Sequence, residues 1–518
     1  MRRYFFIASL YLLFGGGLGL AQDNAVAQDI EVVDSAAAPE RPATPAARLI
    51  APHAKPVRVQ LPATIRPLQL SSGEPQPDRQ QVGYLEPFDP NWVPQHQPLV
   101  LPDGGRVWRY ELHSADAAGL RCQMWGNPTQ AQLEIRFYDP KSGYVLSPIA
   151  SPILDEEGVW WGPTIWGDTL GIEIYQPDGA EGEFSIAIVG VVYLFCTGDC
   201  STPGGGTDFN CYNDITCFPA WKNSIEDNAV GKYFFVSGSG CFTCTGTMIN
   251  RQPGDFSPLF ITAQHCMDRQ SETHSMEIFW EYETATCNGT PADPNTLPRN
   301  SGALLLKRYQ DADTILVGLY DRPGVNAYVG WNTASPVGES IAGVHHPASS
   351  FKRISFGTAE AADDNVSVSG FSYTVDTWRI RYTSGTTEGG SSGSALYGAD
   401  RRLRGVLTGG TRACPPVTKY YGRFSDATTN LRYYLFDADV ASPVIVNRAV
   451  SGDPENGGNS ERGTAANPFN TVYEATFAVR ANDTVRIVPG NYNERFRVWR
   501  PMRLERSGTS GVVRIGAP

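Results

Sequence analysis

The sequence of 518 residues contains only one long apolar run, and that run lies at its N-terminus. Two arginines precede it, it extends from Tyr4 to Leu20, and small residues follow, which is the three-part pattern of a cleaved export signal. A membrane anchor is the alternative, but the run is short for a span of ~20 residues and contains successive glycines. No later segment is apolar enough to cross a bilayer. We therefore predict a signal peptide over residues 1–27 and no stable membrane association.

Charged residues are also scarce, since Asp, Glu, Lys and Arg together make up 19% of the chain. The net charge of −12 is mild for this length and gives no excess of basic groups, so charge alone disfavours nucleic acid and anionic membranes as partners. The hydrophobic share of 41% is typical of a globular protein and not of a disordered or fibrous chain. Length alone indicates about three domains.

A complete zinc motif is missing as well. Cys241 and Cys244 have the spacing of half a zinc site, but no second pair with flanking histidines follows, so we predict neither a metal nor another cofactor. In an exported chain the ten cysteines favour disulfide bonds, which persist outside the cytoplasm. We expect a secreted, extracellular protein, with the periplasm and the cell surface as alternatives.

Changes in composition divide the rest of the chain into further segments. Residues 28–104 are rich in Pro, Ala and Gln and have little periodicity, which is typical of a pro-segment or linker. Residues 105–198 contain alternating and β-branched runs between Gly or Pro turns, and we predict a small all-β domain similar to a β-sandwich. A Gly-rich break at 201–206 has the composition of a processing site.

The last two segments are also predicted to consist of strands. Residues 205–448 show short strand-like runs and almost no long helical periodicity, as in a β-barrel. Residues 449–518 have short strands at nearly regular spacing, which resembles the first rungs of a parallel β-helix, although only about two or three coils fit. We expect a β-helix-like C-terminal fragment there.

Three motifs within residues 205–448 supply the parts of an acyl-transfer protease. His265 follows an apolar strand, Asp313 precedes another, and Ser392 lies in a Gly-rich stretch, where the chain can turn tightly. Such an enzyme needs a nucleophile, a base, a carboxylate that orients the base, and N–H groups aimed at the oxyanion. Asp311 competes with Asp313, but only Asp313 stands directly before its strand.

These segments, FITAQHC, DADTILVGL and GSSGSAL in that order, resemble the His, Asp and Ser motifs of chymotrypsin-like serine peptidases. Flanking motifs are similar to those of bacterial lysyl endopeptidases, namely CTGTMIN from Cys244, VHHP from Val344, TEGGSSGS from Thr387 and YGR from Tyr421. The likeness extends over residues 206–440. It implies an all-β double β-barrel of six strands each, with the catalytic triad in the cleft between the barrels.

The same resemblance implies a role for each residue that matches. His265 is the expected general base, Asp313 its orienting carboxylate and Ser392 the nucleophile, while the N–H groups of Gly390 and Ser392 form the oxyanion hole. The strand that pairs with the substrate backbone comprises Thr408, Gly409 and Gly410. The implied disulfide bonds are Cys211–Cys414, Cys217–Cys287 and Cys244–Cys266. Four cysteines have no counterpart, namely Cys122, Cys196, Cys200 and Cys241.

The likeness fails at the primary specificity pocket. Lysyl endopeptidases have an aspartate shortly before the Tyr-Gly-Arg turn, and its charge selects lysine, whereas this chain has Lys419 there. Because an unpaired charge in a pocket is costly, a buried cation would repel a lysine or arginine side chain. Glu388 or Asp426 is left open as a source of negative charge. A second departure is Ser391, which stands where the animal enzymes have an aspartate that pairs with a new N-terminus.

The sequence thus predicts a secreted, monomeric serine endopeptidase that hydrolyses peptide bonds through an acyl-enzyme. Its expected partners are protein or peptide substrates and its own N-terminal pro-domain, which would act as a folding aid or inhibitor. The alternative is a secreted protease-like surface or carbohydrate-binding protein without catalysis, in which Trp160 and Trp161 form a sugar platform. The simpler interpretation of these tryptophans is that they belong to the core of the β-domain. The simpler interpretation of His345 and His346 is a structural or pocket-wall position.

Overall fold

The computed structural model describes residues 30–39, 47–61, 79–88, 97–180, 186–195, 211–368, 370–449 and 461–516. The predicted signal peptide, the Gly-rich break and two of the unassigned cysteines, Cys196 and Cys200, lie outside the described residues. Strands dominate the described ranges. None of the helices in these ranges is both long and apolar enough to span a membrane.

The described parts of the predicted pro-segment form short strands that join sheets built by later residues. They are β1 Val32–Val33, β2 Ala36–Ala37, β3 Val57–Gln60, β4 Gln80–Pro87 and β5 Leu99–Val100. β1 and β2 pair antiparallel with short strands near residues 327–332, and β3 and β5 pair with the strand that starts at Arg106. A segment with little periodicity of its own is therefore ordered by the open edges that its neighbours provide.

The small N-terminal domain consists of two sheets that face each other. Its strands are β6 Arg106–His113, β7 Gly119–Trp125, β8 Glu134–Tyr138, β9 Val159–Trp161, β10 Ile165–Trp166, β11 Thr169–Gln176 and β12 Ala187–Leu194. One sheet has the order β3-β6-β11-β8, and the other places β9 and β10 on β7, followed by β12 and β4. Apolar side chains such as Phe137, Trp160 and Ile172 fill the core. The predicted all-β character of this region is confirmed, and Trp160 lies in its core.

The next region folds into two strand-rich halves. β13 Asn213–Asp214 comes first in the sequence of this region and pairs with a strand of the second half. The first half contains α1 Ile225–Asn228, β14 Val230–Ser237, β15 Gly240–Met248, β16 Leu259–Ala263, α2 Gln270–His274, β17 Glu277–Phe279, β18 Arg299–Ser301, β19 Ala303–Tyr309 and β20 Thr314–Leu319. β15 pairs with β14 and β16 and also with β4, so the N-terminal domain and this half share one twelve-stranded sheet. β16 and β20 are antiparallel neighbours, and both are buried throughout because their sequences are continuous apolar or β-branched runs.

The second half closes into a six-stranded barrel. It contains β21 Ala327–Tyr328, β22 Trp331–Asn332, β23 Ser340–His345, β24 Arg353–Ser367, β25 Thr374–Ser384, β26 Ala395–Tyr397, β27 Leu403–Gly410 and β28 Val417–Arg423. The barrel order is β27-β26-β23-β24-β25-β28, and β28 pairs back with β27. The long β24–β25 hairpin extends beyond the barrel, and its burial alternates along much of its length, as expected for a strand with one solvated face.

The C-terminal part contains the longest helix of the described residues and a group of parallel strands. Its elements are α3 Phe424–Leu435, β29 Val444–Val446, α4 Val472–Ala478, β30 Thr484–Ile487, β31 Gly490–Tyr492, β32 Arg503–Arg506 and β33 Val513–Ile515. Short 3-10 helices occur at Ile215–Cys217, Pro294–Thr296, Gln310–Ala312, Pro347–Ser349 and Asp437–Asp439. β29, β30 and β32 form one parallel sheet and β31 and β33 another. The β-helix itself stays a prediction.

This C-terminal part shares its core with the two preceding halves. Phe477 of α4 packs so closely on Gly318 of β20 that a side chain at Gly318 would overlap its ring. Val485 and Ile487 belong to the same buried cluster as Leu316. Residues 461–516 therefore contribute to the packing behind the strand that begins after Asp313, and they do not form a separate core.

Candidate active site

The antiparallel pair β16 and β20 brings His265 and Asp313 together. His265 lies two residues after the end of β16 and Asp313 immediately before β20, and the facing ends, Ala263 and Thr314, are register partners. Both residues are buried, with 4% of His265 and none of Asp313 exposed. The Nδ1 atom of His265 is 2.7 Å from one carboxylate oxygen of Asp313, and the backbone N–H of His265 donates to the other at 2.8 Å. The carboxylate thereby holds both the ring and the backbone of the histidine.

Asp313 has a left-handed backbone conformation, with φ of 45°. Aspartate adopts this conformation at a lower energetic cost than most residues. The conformation persists where contacts with the surrounding structure enforce it. Its backbone oxygen accepts from the N–H of Gln264, and its N–H donates to Gln310. The competing Asp311 is exposed, in the preceding 3-10 helix. The structure thus brings Asp313, and not Asp311, to the histidine.

The Gly-rich loop from 389 to 394 carries Ser392 onto the end of β16. A side chain at Gly393 would overlap the hydroxyl of Thr262 and lie 2.7 Å from the backbone nitrogen of Ala263. Gly393 also has φ of 81°, so both space and backbone conformation require glycine there. The Ser392 loop can approach the strand before His265 only because this position has no side chain.

Thr245 of β15 fastens the same loop to the first half. Its backbone N–H donates to the carbonyl of Ser392 at 2.9 Å, and its hydroxyl donates to the carbonyl of Gly390 at 2.8 Å. The neighbouring Cys244 is joined to Cys266, the residue after His265. One short stretch of β15 therefore connects the serine loop to the histidine loop.

The structure contains the three disulfide bonds that the resemblance implied. They are Cys211–Cys414, Cys217–Cys287 and Cys244–Cys266. Cys122 and Cys241 are buried thiols, and burial raises the pKa of both above the ordinary value. These two have no part in the site.

The loop geometry leaves two N–H groups available next to Ser392. Gly390 has φ of 92°, and a side chain there would meet the backbone of His346 and Ser349 at 3.0 and 3.1 Å. Within the described part of the chain, neither the N–H of Gly390 nor that of Ser392 donates a hydrogen bond. An oxyanion hole needs two backbone N–H groups near the serine hydroxyl that do not already donate a hydrogen bond within the protein.

Ser391 is held by His345 from behind the loop. Nδ1 of His345 is 2.9 Å from the hydroxyl oxygen of Ser391, and Nε2 is 3.0 Å from that of Ser355. Burial, together with the charges of Lys419 and Arg353, lowers the pKa of His345 to about 3, so the ring is neutral and offers one donor and one acceptor. His345 therefore connects the loop that carries Ser391 and Ser392 to Ser355 of β24.

Comparison with known proteins bears on the same residues. A family model described as "Lysyl endopeptidase, C-terminal domain" matches residues 206–424, and a second, the lysyl endopeptidase N-terminal domain, matches residues 97–195. A lysyl endopeptidase of Pseudomonas aeruginosa is 29% identical over 367 residues, covering 65% of this chain and 77% of the relative. The chain is a serine endopeptidase of the lysyl endopeptidase type.

Solved protease structures show a more remote similarity. The Rv3671c protease of M. tuberculosis in its active form is 14% identical with a TM-score of 0.29, over 40% of this chain and 81% of that one. The thermostable serine protease AL20 from an extremophilic microorganism is 16% identical with a TM-score of 0.30, over 41% of this chain and 99% of that one.

The tip of the β24–β25 hairpin reaches His265 and Asp313. The ring of Phe371 lies 5.1 Å from that of His265, and the Tyr373 hydroxyl is 3.5 Å from an oxygen of Asp313. Burial and the neighbouring Asp313 raise the pKa of Tyr373 well above its usual value, so it is a donor to that carboxylate. Sequence reasoning missed both aromatic residues because they lie in a loop without a motif.

Lys419 of β28 is the register partner of Gly410, at the end of the stretch Thr408, Gly409 and Gly410 of β27. Its ammonium donates to the carbonyl oxygens of Thr387, five residues before Ser392, and of Thr411, at 2.6 and 2.7 Å. A side chain at Gly410 would approach Cδ of Lys419 to 2.9 Å. The structure therefore places the ammonium between the stretch before the serine loop and the end of β27, and only 1% of the residue is exposed.

The chain before the N-terminal domain touches the other side of the site. Arg79 donates from Nε to the carbonyl of His265 at 2.5 Å, and the side chain of Gln80 lies against Gly389. From there β4 runs along β15, with Gly83 opposite Cys241. Part of the N-terminal segment of the peptidase therefore lies against His265 and against Gly389 of the serine loop.

Proposed function

We propose that this peptidase hydrolyses peptide bonds with Ser392 as nucleophile, His265 as general base and Asp313 as the carboxylate that orients it. The observation that carries the assignment is the double contact between Asp313 and His265, because it fixes the proton on Nδ1 and leaves Nε2 to accept one. Ser392 Oγ attacks the substrate carbonyl as its proton passes to Nε2. The same proton then goes to the leaving amine, and an acyl-enzyme remains.

In this mechanism the N–H groups of Gly390 and Ser392 stabilise the oxyanion of each tetrahedral intermediate. A water molecule, deprotonated by His265, releases the acyl group and restores the serine. The substrate backbone pairs with Thr408 to Gly410, where β27 continues beyond its partner β26 while still paired with β28. Neither step calls for a metal or a cofactor.

We also propose that the chain is exported and matures from a precursor. Three disulfide bonds favour a compartment outside the cytoplasm, in agreement with the signal-like N-terminus. The N-terminal domain is a pro-domain that forms strands with the peptidase through β4 and blocks the cleft at Arg79 and Gln80. Cleavage in the Gly-rich break, before Cys211, separates the two parts.

A buried ion-pair cluster holds this pro-domain in place. Arg121 donates to the carbonyl of Ser275 at 2.6 Å and lies 3.4 Å from the carboxylate of Glu277, and both side chains are buried. Glu277 also pairs with Arg299 of the peptidase at 3.3 Å. Because Arg299 remains paired with Glu277 after the pro-domain leaves, its release does not leave the Glu277 carboxylate as an unpaired buried charge.

A fluorophosphonate probe tests the catalytic assignment. The secreted, processed protein is incubated with the probe, and the labelled peptide is identified by mass spectrometry. We expect label on Ser392, none on Ser392→Ala, and normal label on Ser394→Ala, which removes another hydroxyl from the same loop. A folded, processed sample that takes no label would favour the non-catalytic binding protein instead.

A further inference from the structure

The loop between β23 and β24 lies directly behind the glycines of the serine loop. The backbone N–H of Ala348 donates to the carbonyl oxygen of Gly389 at 2.7 Å. Because a trans peptide bond is planar, the carbonyl of Gly389 and the N–H of Gly390 point in opposite directions. The contact at the carbonyl therefore turns the N–H of Gly390 away from Ala348 and leaves it available for the proposed oxyanion hole.

This loop has a backbone conformation that its own residues do not favour. Ala348 and Ser349 follow each other with left-handed φ angles of 47° and 63°. Residues with a Cβ atom adopt such angles where contacts with the surrounding structure enforce them. Among the described residues the buried hydroxyl of Ser349 has no hydrogen-bond partner, so this side chain does not fix the turn. Contacts to the backbone have to hold it instead.

Lys232 of β14 supplies such a contact at the end of the turn. Its side-chain nitrogen donates to the carbonyl oxygen of Ser349 at 3.0 Å, and only 1% of the residue is exposed. At the start of the turn the backbone N–H of His346 donates to the hydroxyl of Thr245 at 3.1 Å. The same hydroxyl donates to the carbonyl of Gly390. Lys232 and Thr245 thus hold the two ends of the turn behind the serine loop.

Aromatic rings keep the side chain of Lys232 in place. Its Nζ atom lies over four rings, at 4.0 to 5.8 Å from their centroids, and these rings belong to Tyr282, Phe234, Trp166 and Phe279. A cation over an aromatic face is attracted by the ring electrons. Burial lowers the pKa of Lys232 to about 7, and the group has N–H donors for Ser349 whether it is charged or neutral. Three of the rings belong to the peptidase and only Trp166 to the N-terminal domain, so most of this cage stays after processing.

We infer that Lys232 is a positioning residue of this peptidase, which acts through the backbone of residues 346–350 to aim the N–H of Gly390 at the oxyanion. The inference rests on the proposed function, since it uses the oxyanion hole that serves Ser392. The oxyanion forms only as the serine attacks, so a misdirected N–H weakens binding of the transition state and not of the substrate. Loss of the Lys232 contact should therefore lower kcat and leave KM unchanged.

Lys232→Met tests the inference in the processed enzyme. Methionine is a flexible side chain that packs well against aromatic rings, but it cannot donate to Ser349. With a peptide that the wild type cleaves, we expect kcat to fall by roughly 10- to 100-fold, up to the loss seen when an oxyanion donor is removed outright. The aldehyde of the same acyl-side peptide, whose oxygen becomes an oxyanion when Ser392 adds to its carbon, should bind more weakly by the same factor. The product peptide acid should bind as before.

Two further variants complete the experiment. Lys232→Gln is one atom shorter but keeps an N–H donor, so it should lose less kcat than Lys232→Met, and it carries the same aldehyde-to-product comparison if the methionine variant does not fold. Lys307→Met removes another buried lysine, from β19, and should keep the wild-type kcat.

Three results would overturn the role of Lys232. They are an unchanged kcat in Lys232→Met, equal weakening of aldehyde and product binding, and the same loss of kcat in Lys307→Met. Fluorophosphonate labelling of Ser392 in the wild type separates these results from a failure of the catalytic assignment. A labelled wild type leaves the triad standing, whereas absence of label defeats the proposed function itself.

Discussion

Replacing Asp313 by asparagine separates the two contacts of its carboxylate, one with the backbone N–H of His265 and one with the His265 ring. In the structure three donors point at its two oxygens, namely the His265 backbone N–H at 2.8 Å, the Tyr373 hydroxyl at 3.5 Å and the His265 ring nitrogen Nδ1 at 2.7 Å. The first two share one oxygen. An asparagine has a single oxygen and one NH₂ group, so it cannot accept from both sides.

The amide orientation follows from these contacts. With its oxygen toward the backbone N–H and Tyr373, asparagine keeps two hydrogen bonds and turns its NH₂ group toward Nδ1 of His265. The ring must then carry its proton on Nε2, where it can no longer accept one from Ser392. We expect kcat/KM to fall by about 10⁴-fold, equivalent to about 5 kcal/mol of transition-state stabilisation, while the fold is retained.

Kinetics of the processed enzyme, together with thermal unfolding of each variant, measures this effect. Asp311→Asn is the matched control, since its side chain is exposed two residues away, and we expect it to keep near-normal activity. An Asp313→Asn enzyme with kcat/KM within tenfold of wild type would show that the carboxylate does not set the tautomer. A loss in both variants would instead point to a general effect on the loop before β20.

Two further predictions concern stability. Phe477→Ala should destabilise the whole peptidase by about 3–5 kcal/mol, because its buried ring packs on Gly318 in the common core, and an unchanged denaturant midpoint for loss of activity would contradict this. His345 has a folded-state pKa of about 3 against an ordinary 6.5, so the unfolded state binds its proton first and stability falls as pH drops below 6.5. Between pH 6.5 and 5 this costs about 2 kcal/mol, which His345→Gln should remove from the denaturation profile; equal profiles would refute it.

Much of the site was predictable because its parts are local. A histidine after a buried strand and an aspartate before another are readable from the sequence, and the residues between glycines indicate the serine turn. The need for glycine at 393 was not readable, because it comes from Thr262 and Ala263, which are remote in the chain. The same is true of Thr245, whose two hydrogen bonds hold the serine loop to β15.

Prediction was weakest where order comes from a partner strand. β4 has little periodicity of its own, yet it pairs with β12 on one side and β15 on the other and so joins the two domains. α3 was also missed, although its buried residues Phe424, Ala427, Leu431 and Tyr434 repeat at helical spacing. Its Thr- and Asn-rich middle has weak helix propensity, so the packing of this face decides the structure.

Ser391 stands where the animal enzymes have an aspartate. The residue type alone excludes a salt bridge between this position and a new N-terminus. Only the structure supplies the substitute, because Nδ1 of His345 binds the Ser391 hydroxyl while Nε2 of the same ring binds the hydroxyl of Ser355. The loop that carries Ser391 and Ser392 is therefore already supported in the chain that still carries its N-terminal domain. If the N-terminal domain is a pro-domain, as proposed, maturation need not build the site, and its task is to remove Arg79 and Gln80 from their contacts with His265 and Gly389.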